Sequence, residues 1–152
     1  MDPQSDIDTI ERKKDKLVDD AYKWILRTKE YAVFTDWSND ESDLPPCRLL
    51  WIKGPAGTGK TMLLIGIIRE LSDQPSMLAP SLSYFFCQGT GEKTLNSATA
   101  TLRSLIWLLL FQQPHLISHL QSKYEYTGPS IFNDRNTFGV LSDAFKSMLK
   151  DP

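Results

Sequence analysis

Apolar residues recur at helical spacing over most of the chain. In residues 8–27, Ile10, Leu17, Ala21, Trp24 and Ile25 fall on one stripe with charges elsewhere, which predicts an amphipathic helix. A shorter helix is expected through Ala32, Val33, Phe34 and Trp37. Ser38–Pro46 is polar and ends in two prolines, so it reads as a loop. Residues 60–72 carry Met62, Leu63, Leu64, Ile65, Ile67, Ile68 and Leu71, a helix apolar nearly all round that needs cover on most sides. Leu95, Ala98, Leu102, Leu105, Ile106 and Leu109 predict a long helix ending before Pro114. A short helix is expected over Pro114–Lys123, with proline at its first position. Phe138, Leu141, Phe145, Met148 and Leu149 line one face of a last helix. Gln74–Pro80 and Thr127–Asn133 read as loops.

Two stretches break the helical period. Arg48–Lys53 (Arg-Leu-Leu-Trp-Ile-Lys) is a short apolar run bounded by proline and glycine, which suits a buried strand. Leu82–Gln88 is a second strand candidate, rich in aromatics. The order helix, strand, helix, strand, helices predicts an α/β domain.

Between the first strand candidate and the apolar helix lies Gly54-Pro55-Ala56-Gly57-Thr58-Gly59-Lys60-Thr61, a complete match to G-x-x-x-x-G-K-[ST]. A triphosphate needs several N–H donors converging on it. Glycines at 54, 57 and 59 let the backbone turn tightly and approach the oxygens with no Cβ in the way. The loop then enters a helix whose first N–H groups and dipole favour an anion. Lys60 supplies a positive charge for the β- and γ-phosphates, and the Thr61 hydroxyl is placed to coordinate magnesium. The expected ligand is ATP or GTP with Mg2+, and the absence of D-x-x-G and N-K-x-D segments favours ATP.

Hydrolysis usually needs a further strand ending in Asp or Glu to hold magnesium and help position water. The second strand candidate ends in Gln88, which is not an acid. The apolar-then-acidic run Leu17–Asp20 lies in a helical pattern ahead of the loop, and Asp151 follows the last helix. No catalytic residue is therefore assigned.

Composition adds bounds. The 152 residues, 41% hydrophobic and 24% charged, suit a globular chain with a continuous core. A net charge of -2 gives no electrostatic case for nucleic acid or an anionic membrane. The bases Arg12, Lys13, Lys14 and Lys16 alternate with Asp15, Asp19 and Asp20 as a solvated helix face does. Cys47 and Cys87 are too few for a disulfide framework and read as buried free thiols in a reducing compartment. No signal peptide or membrane span is visible, so a cytoplasmic chain is expected. Trp24 and Trp37 read as core residues in preference to adenine-stacking ones, and His115 and His119 as surface residues in preference to metal ligands. Lys53 flanks the loop, Gln88 is a candidate for orienting water, and Arg103 reads as a solvated charge.

The block Arg48–Leu64 resembles the fungal NACHT family of STAND signalling NTPases, whose N-terminal region is also described as nephrocystin-3-like. Three further segments carry the resemblance: Tyr22–Leu26 ahead of the loop, Ser83–Gln88, and Leu102–Leu110 with Gln112–Ile117. It runs from about residue 7 to 152. The resemblance implies a P-loop NTPase fold, a three-layer αβα sandwich. Here it would have an incomplete sheet: a helical segment and linker at 1–47, then the N-terminal part of the NACHT domain at 48–152. It implies ATP or GTP and magnesium at residues 54–61 and a nucleotide-driven switch between a closed monomer and an open oligomer. In the family an acid-ending strand comes soon after the position of Lys150-Asp-Pro, so the sequence reads as an N-terminal fragment of the module. The two strands of this chain are not neighbours in the family's sheet, which implies that each lacks its native ladder partner here.

The leading expectation is a nucleotide-binding regulatory module with little or no hydrolysis alone. The alternatives are an active NTPase or small P-loop kinase, and a non-catalytic interaction fragment of a NACHT protein. The expected partners are the nucleotide and homotypic NACHT modules, with neither nucleic acid nor membrane.

Overall fold

The computed structural model describes residues 3–13, 21–36, 49–74, 80–87, 97–129 and 136–151. The elements in order are α1 (Pro3–Lys13), α2 (Lys23–Leu26), α3 (Lys29–Thr35), α4 (Lys60–Ser72), α5 (Ala98–Gln112), a 3-10 turn (Pro114–Ile117), α6 (Ser118–Thr127) and α7 (Thr137–Met148). They form two compact units, Thr9–Ala79 and Pro80–Pro152 together with Met1–Asp8.

The unit of residues 9–79 is organised on α4. Ile65, Gly66, Ile67, Ile68 and Leu71 are buried, so four consecutive residues lose solvent at once, as an all-round apolar helix requires. Tyr22, just ahead of α2, packs on α4 at Gly66, and Arg69 of α4 pairs with Glu11 of α1. Thr28 ends the helical run after α2 and starts α3, its hydroxyl accepting from the Tyr31 N–H at 3.3 Å.

The other unit is a helical assembly. Ile106 and Leu109 of α5, Leu116 of the 3-10 turn, Leu120 of α6, and Leu141, Ala144 and Met148 of α7 form its core. Ser97 caps α5 by accepting from the Ala100 N–H at 3.1 Å. Pro114 at the first position of the 3-10 turn matches the sequence reading, because its missing N–H costs nothing there.

The expected α/β fold, with a three-layer αβα P-loop architecture, is not what the chain forms. Among the described residues there is no strand and no sheet, and residues 49–55 and 80–87 are neither helix nor strand. The physical reason is that a strand exists only through a ladder, and each segment lacks one. The segment at 80–87 finds a substitute. The Gln112 side-chain amide accepts from the Leu82 N–H at 2.8 Å and donates to the Leu82 carbonyl at 2.7 Å, so it satisfies both backbone groups as a neighbouring strand would. Gln113 Nε2 donates to Ser81 Oγ at 2.7 Å, and Ser83 Oγ donates to the Leu105 carbonyl at 3.2 Å.

Candidate functional site

The segment 54–61 builds a compact turn and then α4. Gly57 and Gly59 have φ of +79° and +80°, a left-handed backbone that disfavours any residue with a Cβ. Gly59 is the N-cap of α4, and its carbonyl accepts from the Leu63 N–H at 2.9 Å. Having no side chain, it makes no cap hydrogen bond to the N–H groups of the first turn. Nothing lies within 4 Å of a Cβ built on Gly57 or Gly59, so the loop faces open space at both.

Gly54 is glycine for a different reason. A Cβ there would meet Thr58 Oγ1 at 3.0 Å. Thr58 Oγ1 donates to the Pro55 carbonyl at 2.9 Å and closes the turn. Lys60, the first residue of α4, folds back over the same turn: its Nζ donates to the carbonyls of Gly54 at 2.8 Å and Pro55 at 2.6 Å, with Thr58 Oγ1 at 3.5 Å. An ammonium has three N–H donors, and two are committed to these carbonyls. The third faces Thr58 Oγ1 at 3.5 Å, a longer and weaker contact than the other two, and the ammonium keeps its positive charge. Thr61 is half-buried in the first turn of α4, and Ala56 is exposed at the bend.

These residues fit a polyphosphate. Left-handed glycines, an uncapped helix start and an anchored ammonium lie within eight consecutive residues, and no acidic residue occupies the first turn of α4. Thr61 carries the one hydroxyl in that turn and would be the residue to share a phosphate-bound magnesium ion.

The structure brings Gly54, Pro55, Thr58 and Lys60 into one hydrogen-bonded cluster. The other candidates lie apart. Lys53 Nζ sits over the Trp51 ring, 4.3 Å from its centroid, so its charge is turned onto an exposed indole. Trp24 is 59% exposed and is no core residue, a correction to the helical stripe it was placed on. His115 is exposed, and His119 Nε2 lies 2.5 Å from Asp151 Oδ2. Among the described residues no group of three or more His, Cys, Asp or Glu is arranged to hold a metal. Cys87 is exposed, against the expectation of a buried thiol. Arg103 is exposed. Trp37, Cys47 and Gln88 lie outside the described residues. Thr58 is among the nucleotide-binding residues expected from the sequence, but the bridge from its hydroxyl to Pro55 is not foreseeable there, because the motif leaves that position open.

Among the described residues no helix is long and apolar enough to cross a membrane. The family model described as Nephrocystin 3, N-terminal, matches residues 20–151. The vegetative incompatibility protein HET-E-1 of Podospora anserina is 44% identical over 153 residues, an overlap that takes in 99% of this chain and 10% of that protein. The chain therefore spans about a tenth of the length of the curated relative it matches. No solved structure matches. The family match begins just ahead of Tyr22, takes in the glycine loop and α4, and runs past α7 to Asp151, and on that coverage the chain belongs to the nephrocystin 3 N-terminal family.

Proposed function

We propose that residues 54–61 bind the β- and γ-phosphates of a nucleoside triphosphate, ATP in preference to GTP, and that the Thr61 hydroxyl helps to hold the accompanying Mg2+. The observation that carries this reading is the pairing of left-handed Gly57 and Gly59 with an uncapped helix whose first residue is Lys60. The reading rests on the local geometry of loop and helix and needs no sheet. Lys60 would contribute charge at the phosphates from a position fixed by the Gly54 and Pro55 carbonyls. Bound nucleotide would supply the free energy for a change of state, so the chain acts as a regulatory piece of a cytoplasmic NACHT signalling protein that associates with like modules. The name of the Podospora relative supports a setting in fungal vegetative incompatibility.

Titration with a fluorescent ATP analogue in the presence of Mg2+ tests the reading. Saturable binding is expected, weakened at least about tenfold in Lys60→Ala, in line with removal of one charge-assisted phosphate contact. Equal binding by the two proteins overturns it. Phosphate release measured on the same samples separates a regulatory module, with turnover near background, from an active NTPase.

A further inference from the structure

We propose that Thr58 is the positioning residue for Lys60: its hydroxyl braces the turn so that the ammonium is held at a fixed point above the loop. This rests on the phosphate-binding reading of residues 54–61. The motif itself does not specify the residue at 58.

Three contacts carry the inference. Thr58 Oγ1 donates to the Pro55 carbonyl at 2.9 Å, and that carbonyl also accepts from Lys60 Nζ at 2.6 Å. The hydroxyl and the ammonium therefore share one acceptor, and the carbonyl's two lone pairs are both used. The hydroxyl oxygen in turn faces Lys60 Nζ at 3.5 Å, so it presents a lone pair to the cation while its proton points at Pro55. Lastly, Thr58 Oγ1 lies 3.0 Å from where a Cβ on residue 54 would stand, a tight contact that glycine avoids. The side chain thus packs close to the face of the turn that Gly54 leaves clear, and its hydroxyl ties residue 58 to the Pro55 carbonyl. A flexible lysine stem surrenders much rotamer freedom to hold one geometry. A braced acceptor pair meets that cost before any anion arrives, which is preorganisation in its simplest form.

A double-mutant cycle on the full chain tests this. Thr58→Val keeps the branched shape and removes the hydroxyl, and Thr58→Ser keeps the hydroxyl and removes the methyl. With Mg2+ and the fluorescent ATP analogue, Thr58→Val is expected to bind about fivefold to tenfold more weakly, the scale of one hydrogen bond, and Thr58→Ser to stay within about twofold of the wild-type chain. In a Lys60→Ala background the Thr58→Val loss should vanish, because the brace has nothing left to position. A Thr58→Val chain that binds as the wild type does overturns the proposal, and so does a loss of equal size in both backgrounds, which would mean that Thr58 acts on the loop and not through Lys60. A nucleotide-free readout covers the remaining case. The Lys60 Nζ proton signal in nitrogen-edited NMR should be slowed in exchange in the wild-type chain and broadened in Thr58→Val. If the wild-type chain fails to bind nucleotide, the phosphate reading falls, and this signal alone decides the brace: no change in Thr58→Val overturns it too.

Discussion

Tyr22 lies so close to Gly66 that a Cβ at residue 66 would come 2.3 Å from its Cγ, 2.6 Å from Cδ1 and 2.8 Å from Cβ. The atoms met are the root of the ring and not its far end, so the side chain cannot swing aside and keep its place. Tyr22 OH also donates to Glu70 Oε2 at 3.5 Å, one turn further along α4. Glycine inside a helix costs about 1 kcal/mol relative to alanine, and the close approach of Tyr22 is what α4 gains in exchange.

Gly66→Ala therefore sets two effects against each other. Helix propensity favours alanine by about 1 kcal/mol, while overpacking a buried contact costs about 1–3 kcal/mol. With three separations under 3.0 Å the overlap wins, and Gly66→Ala is expected to destabilise the chain in urea denaturation. In a Tyr22→Gly background all three of those atoms are gone, and the same substitution should stabilise by up to about 1 kcal/mol. An equal cost in both backgrounds would show that Tyr22 does not set the limit.

Arg69 and Glu11 give an asymmetric prediction. Arg69 Nη2 donates to Glu11 Oε2 at 2.7 Å and lies 2.6 Å from Oε1, which is buried and has no other partner. The Arg69 side chain is 46% exposed and that of Glu11 only 18%. Removing the arginine leaves a largely covered carboxylate without its counter-charge, whereas removing the glutamate leaves a half-solvated guanidinium. Arg69→Ala is thus expected to cost more than Glu11→Ala, by about 1 kcal/mol after allowance for screening on the exposed side. Urea midpoints of the two variants check the order, and the reverse order refutes it.

The helices were legible because burial and period coincide. Residues 60–72 were read from seven apolar positions, and α4 spans Lys60–Ser72. Leu141 and Met148, placed on one face of the last helix by spacing alone, are among the most buried residues of the core. The strands were misread because a short apolar run says only that a segment is covered, not by what. Leu82 is served by Gln112, thirty residues away, and no local pattern announces that a glutamine side chain will stand in for a strand. Trp24 was misplaced for a related reason. The stripe containing it assumed one helix over 8–27, whereas α2 covers only Lys23–Leu26 and buries Ile25 alone. In the loop, the motif specified glycines and lysine but not the work of Thr58, whose role depends on the turn that those glycines make.

Tyr31 gives the chain one source of pH dependence. It is 8% exposed, and burial, followed by the negative charge of Glu70, raises its hydroxyl above the ordinary value of 10.0. A raised value means that the folded chain holds the proton more tightly than the unfolded chain does. Below pH about 10 both states are protonated and this contribution is intact; as pH rises through the folded value it is lost. Stability should therefore fall with pH on the alkaline side, and Tyr31→Phe should flatten that fall while leaving the neutral-pH melt within about 1 kcal/mol, the scale of one hydroxyl. A Tyr31→Phe chain with an unchanged alkaline slope would place the dependence elsewhere.

Gly59 separates backbone strain from ligand approach. Its φ of +80° makes alanine costly, by about 1–2 kcal/mol, although a Cβ there would touch nothing within 4 Å. Asparagine visits the left-handed region far more readily, so Gly59→Asn should lose less stability than Gly59→Ala. The order for nucleotide is different. The open space beside Gly59 is, on the phosphate reading, where the anion draws close to the backbone, and any side chain fills part of it. Both variants should then lose binding to a similar degree, so that stability ranks them and affinity does not. Thermal melts and the fluorescent ATP titration on the same two proteins read the two quantities separately. Were Gly59→Asn to recover affinity in step with stability, the glycine would be serving the turn alone, and the close approach of a phosphate at residue 59 would have to be abandoned.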